Sequence, residues 1–147
     1  MKKVINLVLA VLTVGTLNAQ WSFKESDGNK YVTTTEDDGA TAILSNFNGK
    51  IGFWLYGLYY CDESPETYVY LYKGDTKILD KKFKTSIGND NKSLYIDWDL
   101  GTDPAFMKAL LEAETLIVLV YESYCEDSSF GYNMGNTKAA IEYLLKP

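Results

Sequence analysis

The sequence predicts a mainly β fold, an antiparallel β-sandwich or open barrel with two short covering α-helices. Three observations predict it. Glycine-containing turn dipeptides recur at even spacing, as Asp27-Gly28, Asp38-Gly39 and Asn48-Gly49. Runs rich in β-branched and aromatic residues fill the intervals between them. Two apolar stripes at helical spacing appear only late, around Phe106 and around Ile141. Strands recurring every 8–12 residues or so with turn signals between them read as a sandwich or barrel.

The chain opens with MKKVINLVLAVLTVGTLNAQ. Lys2 and Lys3 precede an apolar run from Val4 to Val14, and Leu17-Asn18-Ala19 ends on a small residue. This is the layout of a secretory signal peptide, with cleavage expected after Ala19. The run falls short of the roughly 20 apolar residues of a membrane span. Residues 1–19 are therefore read as a leader and 20–147 as a single β-rich domain. The protein is expected in the periplasm or outside the cell, with no integral membrane segment after cleavage.

The first strand-like runs are Trp21–Lys24, Lys30–Thr35, Thr41–Phe47 and Lys50–Cys61. The glycine of each intervening dipeptide accepts the positive φ of a tight hairpin. Thr67–Lys73, Thr76–Ser86 and Ser93–Asp99 follow, bounded by Gly74-Asp75 and Gly88-Asn89-Asp90-Asn91. Thr102-Asp103-Pro104 then offers a capping aspartate and a proline at the first helical position. Phe106, Met107, Leu110 and Leu111 share one face of that helix. Thr115–Tyr121 is continuously apolar and reads as a central strand buried on both faces. A second helix runs from Asn136 to Leu145, with Ala140, Ile141, Leu144 and Leu145 as its stripe.

Composition excludes more than it suggests. The formal net charge is −6, and neither arginine nor histidine occurs. Acidic charge repels phosphate backbones, so no nucleic acid partner is expected. Without arginine there is no bidentate clamp on phosphate or carboxylate. Without histidine there is no serine–histidine or cysteine–histidine nucleophile and no usual zinc site. Asp97 and Asp99 would sit about 7 Å apart on one strand face, a spacing used by inverting glycosidases. A chain this short leaves little room for a sugar cleft as well as a core, so no enzymatic activity is expected.

Near the C-terminus runs Phe130-Gly131-Tyr132-Asn133-Met134-Gly135-Asn136-Thr137-Lys138-Ala139-Ala140-Ile141-Glu142-Tyr143-Leu144. This ending resembles the phenylalanine–glycine–alanine pattern that closes the invasion-associated locus B-like proteins. It is also similar to small periplasmic accessory proteins associated with type VI secretion. The likeness covers most of residues 20–147 in the order of elements and rests on few residues. It implies a secreted, non-enzymatic β-sandwich. Cys125 departs from the pattern, and no functional residue carries over.

Two features bear on binding. On a strand, Lys50–Cys61 is apolar on both faces, with Ile51, Phe53, Leu55, Tyr59 and Cys61 against Trp54, Tyr56, Leu58 and Tyr60, so it is expected to be covered twice. In Thr67–Lys73, Val69 and Leu71 face one way and Tyr68, Tyr70 and Tyr72 the other. Those tyrosines form either the sheet's own aromatic ladder or a surface for a protein partner or a glycan. Trp54 and Trp98 are further candidates for a glycan.

The two cysteines repeat their surroundings, as Tyr60-Cys61-Asp62-Glu63-Ser64 and Tyr124-Cys125-Glu126-Asp127-Ser128. In an exported chain this predicts a Cys61–Cys125 disulfide, the alternative being two buried thiols. A bridge would bring Asp62, Glu63, Glu126 and Asp127 together as oxygen ligands suited to calcium. Solvated loop ends are the other reading of these carboxylates. Asp97-Trp98-Asp99 has the opening of a calcium loop without its closing glutamate.

Overall fold

The computed structural model describes residues 21–35, 40–47, 50–96 and 103–147. The predicted leader, the turns at Asp38-Gly39 and Asn48-Gly49, and Asp97, Trp98 and Asp99 lie outside the described residues.

Strands β1 (Ser22–Ser26), β2 (Asn29–Thr35), β3 (Thr41–Phe47) and β4 (Lys50–Tyr56) form a meander. Asp27 and Gly28 both take positive φ, at 52° and 75°. A two-residue turn of that hand matches the twist of the strands it joins. Next come β5 (Glu66–Lys73), β6 (Thr76–Phe83), β7 (Thr85–Ile87) and β8 (Ser93–Ile96). Helix α1 (Pro104–Glu112), β9 (Thr115–Tyr121), β10 (Ser128–Asn133) and helix α2 (Thr137–Leu145) complete the order.

The strands make two antiparallel sheets. One has six strands in the order β1-β2-β3-β4-β8-β7, the other four in the order β10-β9-β5-β6. This is the β-sandwich that the turn spacing predicts. Its core joins alternate residues of both sheets: Val32, Leu44, Phe53 and Leu94 from the first, and Val69, Leu71, Val118 and Phe130 from the second. Phe106 and Leu110 of α1 and Ala140, Ile141 and Leu144 of α2 belong to the same cluster. Helix α1 lies against β5 and β6, and α2 against β2 and β3.

Both helix starts have local causes. The Asp103 carboxylate accepts from Phe106 N at 2.9 Å, and Pro104 follows, as the sequence predicts. Lys81 pairs with the other carboxylate oxygen. At α2 the cap residue Asn136 is left-handed, with φ 64°, and its side chain makes no cap bond. The buried Thr137 hydroxyl instead donates to Met134 O at 2.7 Å and accepts from Trp21 Nε1 at 3.1 Å.

Four expectations need correction. The strand from Lys50 stops at Tyr56, because Gly57 turns the chain with φ 112°. The segment beyond it hydrogen-bonds along the turn between β7 and β8, with Gly57 N donating to Lys92 O and Tyr60 N to Asn91 O. Nor is β4 covered twice. Ile51, Phe53 and Leu55 are buried, while Gly52, Trp54 and Tyr56 face outward. Strand β9 is internal to its sheet, but only Leu116, Val118 and Val120 are fully buried; Ile117 and Leu119 are half-buried on the outer face. Finally, Thr76–Ser86 is two strands. The chain leaves the four-stranded sheet after Phe83 and enters the six-stranded one at Thr85. Buried hydroxyls pin that crossing: Thr67 donates to Thr85, and Thr85 donates to Pro65 O.

Candidate functional site

The outer face of the six-stranded sheet carries a concave apolar surface. Antiparallel register sets its rows. Tyr31, Ser45 and Gly52 lie opposite one another across β2, β3 and β4. The next row is Thr33, Ile43, Trp54 and Tyr95. Two small residues thus sit between larger ones, and a trough results. A cavity of about 330 Å³ opens there, lined by Tyr31, Ile43, Ser45 and Trp54, with Asn29 and Lys30 at its end.

Gly52 makes room for the indole. A β-carbon on it would come within 3.3 Å of Trp54 Nε1 and 3.9 Å of Ser45 Oγ. The Trp54 and Tyr95 rings lie 5.2 Å apart at a tilt of 55°. Such offset aromatic pairs fix each other's orientation. Ser45 is only 9% exposed, yet no described residue hydrogen-bonds its hydroxyl. Trp54 Nε1 likewise has no acceptor among the described residues. Lys30 is engaged elsewhere, donating to Lys146 O and Pro147 O at 2.8 and 3.1 Å.

Tyr68, Tyr70 and Tyr72, read from the sequence as either an aromatic ladder or a binding surface, lie on the outer face of the other sheet, all half-buried. Tyr68 and Tyr70 are already partnered. The Tyr68 hydroxyl donates to Glu66 at 3.0 Å, and its ring meets Tyr121 edge-on at 5.7 Å. Lys82 lies over Tyr68 at 5.6 Å and Lys77 over Tyr70 at 4.8 Å. Lys82 also pairs with Glu66, and Lys77 with Asp80. The Asp80 hydrogen bond raises the Lys77 pKa.

Cys61 and Cys125 form the predicted disulfide, with Cα atoms 6.0 Å apart. Asp62, Glu63, Glu126 and Asp127 flank it, and the residue that organises the junction is a fifth acid. Glu122 Oε1 accepts from Cys61 N at 2.5 Å and from Asp62 N at 3.1 Å. In return Asp62 Oδ2 accepts from Ser123 N at 2.6 Å. Asp127 Oδ1 accepts from Glu122 N at 3.2 Å. Two of the four candidate carboxylates therefore cap backbone amides. Glu63 and Glu126 are exposed. Among the described residues no three His, Cys, Asp or Glu side chains converge closely enough to hold a metal. Tyr60 is buried beside this junction, and burial together with the Glu122 charge pushes its phenol pKa well above the ordinary value. Glu122 precedes the repeated segment, so the repeat does not point to it.

Two other carboxylates are held below their ordinary pKa. Hydrogen bonds from Lys92 N and from Ser93 do this for Asp90, in the turn between β7 and β8. The Lys81 hydrogen bond and then Phe106 N do it for Asp103. Both serve turn and cap geometry. No protein-family model, no curated protein and no solved structure matches the chain.

Proposed function

We propose that this chain is an exported, non-catalytic binding module that recognises its partner through the trough beside Trp54. The trough itself carries the reading. It is concave and mostly apolar with a few placed polar atoms, which is the usual make-up of a ligand site. The tyrosine face is less open, because lysines and neighbouring rings already occupy it. Export is supported by the leader-like N-terminus and by a disulfide, which persists in oxidising compartments. No helix among the described residues is long and apolar enough to cross a membrane. The non-enzymatic role also agrees with what the C-terminal resemblance implies.

The test is retention of cell-envelope material on the immobilised chain from residue 20. Trp54→Ala is expected to lose retention and Tyr70→Ala to keep it. The opposite order would move the site to the tyrosine face. Equal retention by both variants would remove both faces from the function.

A further inference from the structure

We propose that the trough binds a neutral pyranose ring of a glycan, stacked on Trp54 and hydrogen-bonded at its edge by Ser45 and the indole N–H. The proposal rests on the binding reading above and names its ligand class.

Four observations select a neutral sugar. First, the available polar atoms are neutral. They are the Ser45 hydroxyl, the Trp54 N–H and the exposed Asn29 amide at the end of the trough. The one cation, Lys30, is held by the C-terminal carbonyls, and no carboxylate lines the trough among the described residues. A cationic ligand would find no counter-charge among the described residues, and an anionic one only Lys30, which is already engaged.

Second, Ser45 is nine-tenths buried and still without a partner. Its oxygen is not sealed from solvent, so a ligand in the trough can reach it. A ligand hydroxyl would satisfy it, because hydroxyls both donate and accept. Gly52 brings that hydroxyl and the indole N–H side by side, both within 4 Å of the point where a β-carbon would stand.

Third, the walls are flat and apolar. Tyr31, Ile43 and Trp54 suit the C–H face of a pyranose, which is apolar while its edge is polar. The same side chains would stack on a nucleobase, but the acidic chain repels the attached phosphates. At about 330 Å³ the space lies at the small end for ligand pockets, which fits sugar rings better than a folded partner.

Fourth, the trough lies over β3 and β4, which are internal strands. Their backbone groups are already paired, so an extended peptide has no free edge to join. Its own amides would lie over apolar side chains without partners.

The experiment uses the chain from residue 20 with neutral oligosaccharides as probes, namely oligomers of glucose, galactose, mannose and N-acetylglucosamine. Binding is followed by tryptophan fluorescence and by retardation in gels containing neutral polysaccharide. At least one series is expected to bind, with an affinity unchanged by added salt. Gly52→Val should fill the trough and weaken binding by roughly tenfold or more. Its backbone tolerates a side chain, since Gly52 is not among the positive-φ glycines. Ser45→Ala, the second variant, should weaken binding several-fold while keeping the wild-type melting temperature. Unaltered sugar binding by a folded Gly52→Val would overturn the proposal, as would binding that weakens steeply with salt. Retention of envelope material that Trp54→Ala abolishes and no neutral sugar competes would overturn the sugar and leave the binding reading standing. Absence of both retention and sugar binding would overturn the two together.

Discussion

Replacing both cysteines, as Cys61→Ser/Cys125→Ser, tests what the bridge contributes. Cys61 follows β4 of the six-stranded sheet and Cys125 follows β9 of the four-stranded one, so the bond ties the two layers together. The joined residues are 64 positions apart. In the chain-entropy model a closed loop of that length contributes about 4 kcal/mol, by restricting the unfolded chain. The native junction should survive reduction, because Glu122 still accepts from two amides and Asp62 from a third. The loss should therefore come from the unfolded state. Equilibrium urea unfolding measures it. With a slope near 2 kcal/mol per molar, the midpoint should fall by roughly 2 M. The slope itself should rise, since the untethered chain expands further. A midpoint shift below about 0.5 M would refute the reasoning, and would mean that unfolded-state structure or native strain cancels the tether.

Neighbouring residues on β4 provide a second check. Phe53→Ala removes a ring that is fully buried and should cost about 3–5 kcal/mol. Trp54→Ala removes a half-exposed ring and should cost about 1–2 kcal/mol by lost burial; an equal loss would put Trp54 in a covered layer. A third concerns pH. The Asp103 pKa is depressed in the folded chain by Lys81 and then by Phe106 N. That stabilisation is present above the unfolded value of about 3.9 and is lost as pH falls through the folded value. Asp103→Asn keeps a capping oxygen but cannot titrate or pair with Lys81, so its melting temperature should lie below wild type at neutral pH. The gap should narrow below about pH 4; a gap that widens in acid would contradict the assignment. Calcium gives the fourth. Asp62 and Asp127 cap amides rather than converging with Glu63 and Glu126, so calcium and chelator should give the same melting temperature. A calcium-dependent rise would revive the metal reading, since a ligand that binds only the native state stabilises it.

Most of the fold was legible because its signals are local. Asp27-Gly28 sets one hairpin, Gly74 another, and Asp103-Pro104 starts a helix wherever the rest of the chain lies. The misreadings came where two faces look alike in one dimension. Ile51, Phe53 and Leu55 alternate with Trp54 and Tyr56, and composition cannot say which set receives the second layer. Strand β10 gives no strand signal in sequence, because Gly131 interrupts it and Ser128, Ser129 and Asn133 dilute its pattern. The disulfide was legible as a repeated segment. The trough was not, since Tyr31, Ser45 and Gly52 meet only once three strands are in register. Gly52 and Ser45 are plain in the sequence, but their placement opposite each other beside the Trp54 ring is not.

The clasp between the two ends of the chain also sets a schedule. Trp21 reaches Thr137 and Lys30 reaches Lys146, each across 116 positions, and the Tyr143 hydroxyl donates to Lys24 O across 119. Contacts of such span form late, because closing a long loop costs entropy before any contact rewards it. The inward side of β2 and β3, with Val32, Ala42 and Leu44, waits for α2 to cover it. At ribosomal speed roughly 5–20 seconds separate the birth of that surface from the arrival of its cover. During that interval the apolar inner side of the meander has no cover from α2. A polypeptide unable to finish folding before its last helix appears also stays threadable, which is the condition for passing through a translocation pore.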